Sequence, residues 1–142
     1  MREPKCIKYA LADAFPKAVI QAIKYDFDDL SIDFHWGEDF RGQVTVAQPA
    51  GIRVLDERDL CEFWKNYHRG IGWMYEVLEG GWMELECKRA LFNSPDFLPG
   101  LKEYLVVDEF CISIMSTSPP NLIDLGKRPG EVEGTPKVPN GF

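Results

Sequence analysis

Leu30-Ser31-Ile32-Asp33-Phe34-His35-Trp36, then Gly37-Glu38-Asp39, then Phe40-Arg41-Gly42-Gln43-Val44-Thr45-Val46-Ala47-Gln48 is the stretch that decides the fold. Leu30, Ile32, Phe34 and Trp36 alternate with polar residues. A period of two places one set of side chains on each face of a half-buried strand. Val44 and Val46 alternate with Gln43 and Thr45 in the same way, and the Gly37-Glu38-Asp39 turn between the two runs predicts an antiparallel hairpin. Upstream, Phe15, Ala18, Val19, Ala22 and Ile23 recur at helical spacing behind Asp13, a good cap, and Pro16, tolerated in a first turn. They predict an amphipathic helix over about 14–25.

Downstream, Ile52 to Leu55 is a short apolar run. Asp56 then stands where an N-cap belongs, with Leu60, Phe63, Trp64 and Tyr67 on one face, which predicts a second helix over about 57–68 that stops at Gly70. The chain has one internal echo, Gly72-Trp73-Met74-Tyr75-Glu76 against Gly81-Trp82-Met83-Glu84-Leu85. Read as strands, Tyr75–Glu79 and Trp82–Lys88 meet through a Gly80-Gly81 turn, although Glu76 to Glu79 also fits one helical turn. Residues 93–103, with Pro95, Pro99 and Gly100, read as loop, and Leu105 to Thr117 as one long inner strand. The last 25 residues hold five of the ten prolines and four of the 12 glycines, too little apolar matter for a core of their own. The expected organisation is a globular domain over 1–117 and a Pro/Gly-rich tail over 118–142 that docks through Leu122 to Leu125. The fold class is α+β, a mostly antiparallel sheet with about two helices packed on it, in a single domain.

At 142 residues the chain has the length of one domain, and 45% apolar with 27% charged residues is a globular composition. Its 16 Lys and Arg against 23 Asp and Glu leave a net charge of −7. Phosphate backbones and anionic lipid repel such a chain, so neither a nucleic acid nor a membrane is the expected partner, whereas a basic protein is. The opening Met-Arg-Glu-Pro-Lys-Cys has no signal-peptide run, which predicts a cytoplasmic protein. Cys6, Cys61, Cys87 and Cys111 form no C-x-x-C pair and read as buried thiols rather than a disulfide framework. With only His35 and His68 available, no metal or other cofactor is expected.

The chain shows no catalytic signature. Asp26, Asp28 and Asp29 begin like a calcium loop but lack its glycine and its bidentate glutamate. Gly70-Ile71-Gly72 lacks the third glycine of a dinucleotide fingerprint, and there is no phosphate loop. Asp33 and His35 share a strand face, so a carboxylate could orient the imidazole. What stands out is the placement of charge. Asp26, Asp28, Asp29, Asp33, Glu38 and Asp39 fall in 14 residues without Lys or Arg, and Glu76, Glu79, Glu84 and Glu86 in 11 more. Phe27, Phe34, Trp36, Tyr75 and Trp82 lie among them. Any exposed member would anchor an interface, and the carboxylates would steer a cationic partner toward it.

The Gly72 to Glu84 stretch, followed by Glu109-Phe110-Cys111-Ile112-Ser113-Ile114, resembles the small acidic α+β immunity proteins of bacterial contact-dependent growth inhibition and related polymorphic toxin systems. The resemblance covers the middle and C-terminal half. It implies an intracellular antidote that binds a cognate toxin domain, often a basic nuclease, and masks its active site. Those families have no invariant active-site motif, so no functional residue carries over. The expected function is therefore non-enzymatic neutralisation of a toxin through the ten acidic residues named above. Two alternatives stand beside it: a small hydrolase or metal-dependent enzyme built on Asp33 and His35, and a module that binds a peptide along a sheet edge.

Overall fold

The computed structural model describes residues 2–127. Its strands are β1 (Lys5–Lys8), β2 (Val19–Tyr25), β3 (Asp29–Trp36), β4 (Phe40–Ala47), β5 (Gly51–Asp56), β6 (Met74–Glu79), β7 (Lys102–Val106), β8 (Phe110–Ser116) and β9 (Asn121–Lys127). Helices are short: α1 (Trp64–Tyr67), α2 (Trp82–Cys87) and α3 (Ser94–Phe97), with 3₁₀ turns at Ala10–Ala14 and Glu57–Phe63. One sheet has the order β2-β3-β4-β9, the other β1-β6-β7-β8-β5, and every pairing is antiparallel. The fold is α+β and mostly sheet, as the hydrophobic patterning predicts.

The β3–β4 hairpin closes in the expected register, from Asp29 opposite Ala47 to Trp36 opposite Phe40. Its inner residues Leu30, Ile32, Phe34, Val44 and Val46 meet Met74, Tyr104, Val106, Ile112 and Ile114 of the five-stranded sheet in one core. The opposite face of that second sheet is covered as well. Tyr75, Val77, Leu105 and Cys111 pack there against Leu60, Phe63, Trp64 and Tyr67 of the helical segment. The molecule thus has three layers, and its middle sheet is buried on both faces. This explains the near-continuous apolar run from Leu105 to Met115, in which alternation is lost.

Aromatic rings set the spacing at the Phe34–Trp36 end of the core. Phe34 lies 5.0 Å from Trp73 and 5.2 Å from Phe15 between ring centroids, and Phe15 meets Trp36 edge-on at 5.4 Å. The Trp73 indole N–H donates to the carbonyls of Ala12 (3.1 Å) and Phe15 (2.9 Å), tying the 3₁₀ turn to the core. Gly42, opposite Phe34 on β4, leaves the space that the Phe34 ring occupies. A Cβ there would fall on the ring.

Five expectations need correction. The helix predicted over 14–25 is strand β2 preceded by a 3₁₀ turn. Lys17 sits in the left-handed region at φ +57°, which no helix admits, and the β-branched Val19, Ile20 and Ile23 favour the extended backbone that β3 pairs with. Asp13, expected as the cap, instead forms an ion pair with Lys8 at 3.2 Å. The second half of the predicted 75–88 hairpin is helix α2, because the buried Glu103 carboxylate accepts from the backbone N–H groups of Trp82 (3.0 Å) and Met83 (2.8 Å). Gly81 is required for that approach, since a Cβ there would stand 2.7 Å from both Glu103 oxygens. The long strand read from Leu105 to Thr117 is a hairpin, β7 and β8, broken at Val107-Asp108-Glu109. Finally, Cys61 and Cys87 are exposed rather than buried, although all four cysteines are free thiols.

The helix expected over 57–68 is present as 3₁₀ turns running into α1, and Asp56 caps it by accepting from the Arg58 N–H at 2.9 Å. Leu122 to Leu125 lies within β9, which pairs with β4 and carries the folded body beyond residue 117 to Lys127. The rest of the proposed tail lies outside the described residues.

Gly42→Ala is expected to destabilise the protein by about 1–3 kcal/mol through overpacking against Phe34, read as a lower urea midpoint with an unchanged slope. Glu103 supplies a second prediction. Burial pushes its carboxyl up, against the opposing pull of the Met83 and Trp82 N–H groups and the Arg53 charge. The folded state therefore holds a proton that the unfolded chain has already lost, so this group's contribution to stability falls as pH rises from the ordinary glutamate range through its raised value. Glu103→Gln removes that slope, and urea titrations at a series of pH values should show wild type losing ground to the variant as pH rises. Parallel curves would refute the assignment.

Candidate functional site

Between Tyr25 and Asp29 the β2–β3 connection is a tight acidic tip. Asp26 accepts, through Oδ1, from the N–H groups of Asp28 (2.9 Å) and Asp29 (2.8 Å). These two bonds, that to Asp29 foremost, hold the Asp26 carboxyl below its ordinary value. The Gln48 N–H donates to the Asp28 carbonyl at 2.8 Å and to Asp29 Oδ1 at 3.3 Å, so the end of β4 braces the tip. Phe27 stands on this frame at φ +74° with 87% of its surface exposed. Its ring centroid is 5.4 Å from that of Tyr25, itself 45% exposed.

That arrangement is costly twice over. A left-handed backbone costs a residue with a Cβ about 1–2 kcal/mol, and an exposed Phe forgoes the roughly 1.5–3 kcal/mol that burial would supply. Asp28 has no hydrogen-bonded or ion-pair partner for its carboxylate among the described residues. The tip therefore offers two aromatic rings beside carboxylates, one of them free. This combination suits a desolvating anchor surrounded by a field that attracts cations.

The other acidic residues are used differently. Asp33, in the middle of β3 on the outer face, accepts from Gln43 Nε2 at 2.8 Å and lies 3.7 Å from Lys24 Nζ. Glu38 and Asp39 occupy the opposite turn of β3, beside a shallow 140 Å³ depression that they line with His35 and Arg41. The second run lies on β6 of the other sheet and on α2, and is neutralised in space. Glu76 faces Lys102 at 3.6 Å, Glu79 and Glu84 meet Arg2 at 3.2 and 2.9 Å, and Glu86 meets Arg89 at 2.8 Å. Arg2 and Arg89 hold the Glu84 and Glu86 carboxyls below their ordinary range. Glu84 also accepts from the Gly80 N–H at 2.9 Å, ahead of α2. The ten residues thus fall into a tip, a central strand position, a far turn and a set of ion pairs.

Of the aromatics in the two runs, Phe34 and Tyr75 are buried, Trp36 and Trp82 are half-buried, and Phe27 is exposed. Asp33 accepts from Gln43 and does not line the depression that His35 lines. Among the described residues, no three His, Cys, Asp or Glu side chains converge as metal ligands. No helix among them is long and apolar enough to cross a membrane. Sequence reading names Asp26, Asp28 and Asp29 but misses the strained display of Phe27 and the pairing of Tyr25 with it.

Searches for similar proteins return no match: no family model, no curated protein and no solved structure.

Phe27→Gly should relieve the backbone without opening a cavity. Its stability is expected to lie between wild type and about 1 kcal/mol above it, since glycine's freedom in the unfolded chain offsets part of the gain. Thermal unfolding of the two proteins in one buffer checks this, and a loss above about 1 kcal/mol would mean that the ring is a packing element.

Proposed function

We propose that this chain is a non-enzymatic immunity protein of the polymorphic-toxin type, which binds a cognate basic toxin domain in the cytoplasm through its acidic β2–β3 tip. The observation that carries the reading is Phe27, exposed and held in a left-handed backbone beside Asp26, Asp28 and Asp29. Strain of this kind persists only where the surroundings impose it, and it concentrates at ligand clamps. A net charge of −7 supplies long-range attraction for a basic domain. The resemblance to immunity proteins names the class of partner, and an active-site cleft built for a polyanion is the cationic surface that such a tip complements.

The test uses the toxin domain encoded beside this gene, with binding followed by surface resonance at several salt concentrations. Phe27→Ala is expected to weaken binding by about tenfold or more, mainly through faster dissociation. The Asp28→Lys, Asp29→Lys double variant should slow association and flatten its salt dependence, because charges at an exposed rim act on the encounter. Unchanged binding in both variants would remove the tip from the interface.

A further inference from the structure

Strands β2 and β5 are edges of their respective sheets, and they flank the same open side of the sandwich. Register assigns the side chains there. Ile23 pairs with Ile32, Tyr25 with Leu30 and Val54 with Ile112, all three partners being fully buried core residues. Phe110 stands two residues before Ile112 on β8 and so shares its face. These four side chains therefore point toward the space between the sheets, yet they are 37%, 45%, 44% and 59% exposed. Among the described residues nothing covers the core on this side, and a cleft of about 450 Å³ remains.

One end of the β2 edge is already closed by side chains. Asp108 accepts from the Ile20 N–H at 2.7 Å, while Arg69 donates to the Ala18 carbonyl at 3.2 Å and meets Asp108 at 3.2 Å. The remainder is open. Among the described residues, neither 22–25 nor 51–55 makes a hydrogen bond outside its own ladder. The charges around the mouth decide what fits. Arg69 is tied to Asp108, Lys24 to Asp33 on the outer face, and Arg53 of β5 lies over the Trp82 ring on the face of its strand opposite Val54. Glu109 is exposed at one end of the cleft, and the Asp26, Asp28 and Asp29 tip continues it at the other, through Tyr25 in tilted contact with Phe27.

We propose that this cleft receives an extended segment of a cationic protein partner, which adds as a strand to the free edge of β5 and lays alternate apolar side chains over Ile23, Val54 and Phe110. Main-chain bonds to β5 supply affinity, the apolar mouth selects the alternation, and the acidic rim selects Lys and Arg at the intervening positions. The charge argument rests on the basic-partner reading above, whereas the edge and the open mouth stand apart from it.

The probe is a peptide of about ten residues alternating Val and Lys, long enough at ~3.3 Å per residue to run past β5. It is compared with a Val/Glu peptide and with a Val/Lys peptide interrupted by proline. Binding to the full chain is measured by fluorescence anisotropy, and amide hydrogen exchange locates it. The Val/Lys peptide should bind saturably and slow exchange at 51–55, with both controls at least about tenfold weaker. Val54→Asp should weaken binding by about tenfold even though it adds an attractive charge. No binding, binding without protection of β5, equal binding of the proline peptide, or indifference to Val54→Asp would each overturn the proposal. Phe27→Ala separates the two readings. If it abolishes toxin binding while the toxin leaves β5 unprotected and tolerates Val54→Asp, the cleft alone fails. If the peptide still protects β5 and tip variants leave the toxin bound, the tip alone fails.

Discussion

Phe34 held against Gly42 and Trp73 is the contact on which the rest of the molecule depends. A side chain at position 42 would displace the ring, and the ring fills the space between the two sheets together with Phe15 and Trp36. Because the Trp73 N–H holds two carbonyls of the 10–15 segment, the same cluster anchors the chain that leads into β2. A well-packed aromatic plug leaves the sheets little freedom to slide or close at that end. Toward Leu30 and Ile32 the β2 partners are Tyr25 and Ile23, and nothing equivalent among the described residues fills the space outside them. The rigid end and the open side are thus two consequences of where the large rings fall along β2 and β3.

The middle sheet imposes the second constraint. With both faces buried, any charge on β7 must be satisfied inside the protein, and Glu103, 2% exposed, is satisfied by the first N–H groups of α2. That contact places the Glu76 to Glu86 segment against the N-terminus, where Arg2 bridges Glu79 and Glu84. Exposed ion pairs of this kind add only about 0–1 kcal/mol each to stability. Their larger effect is on the field: the second acidic run is matched by bases that the sequence holds elsewhere, whereas Asp28 at the tip has none among the described residues.

The hairpin and the capped helical segment after Asp56 are legible because each is written in local alternation, a cap or a turn. Two of the misread elements share one physical cause, a deciding partner outside the segment itself. Ile20 and Ile23 satisfy a helical period as well as a strand period, and the choice falls to pairing with β3. Trp82 to Cys87 reads as a strand until Glu103, twenty residues on, supplies its first hydrogen bonds. The candidate site suffered from the first of these errors. Once 19–25 is a strand and 29–36 another, Asp26-Phe27-Asp28 is a hairpin turn, and a turn favours Gly, Asn or Asp. A phenylalanine there is out of place chemically, and that is the signal for Phe27 which the helical reading conceals.

Edge protection gives the open side its meaning. Exposed strand edges invite pairing with other chains, and proteins commonly blunt them with charges or cover them. Here the covering is selective: Asp108 and Arg69 occupy Ile20 and Ala18, while 22–25 and 51–55 carry no proline and, among the described residues, no side-chain cap, and their charges, Lys24 and Arg53, lie on the faces turned away from the cleft. Had the edge been merely tolerated, the simplest remedy would be a charge at Ile23 or Val54, both surface-accessible and both retained as β-branched apolar residues. A chain with net charge −7 already resists pairing with its own copies through like-charge repulsion. Repulsion of that kind weakens toward a cationic partner and reverses sign, so an edge can stay open to such a partner and remain guarded against self-association.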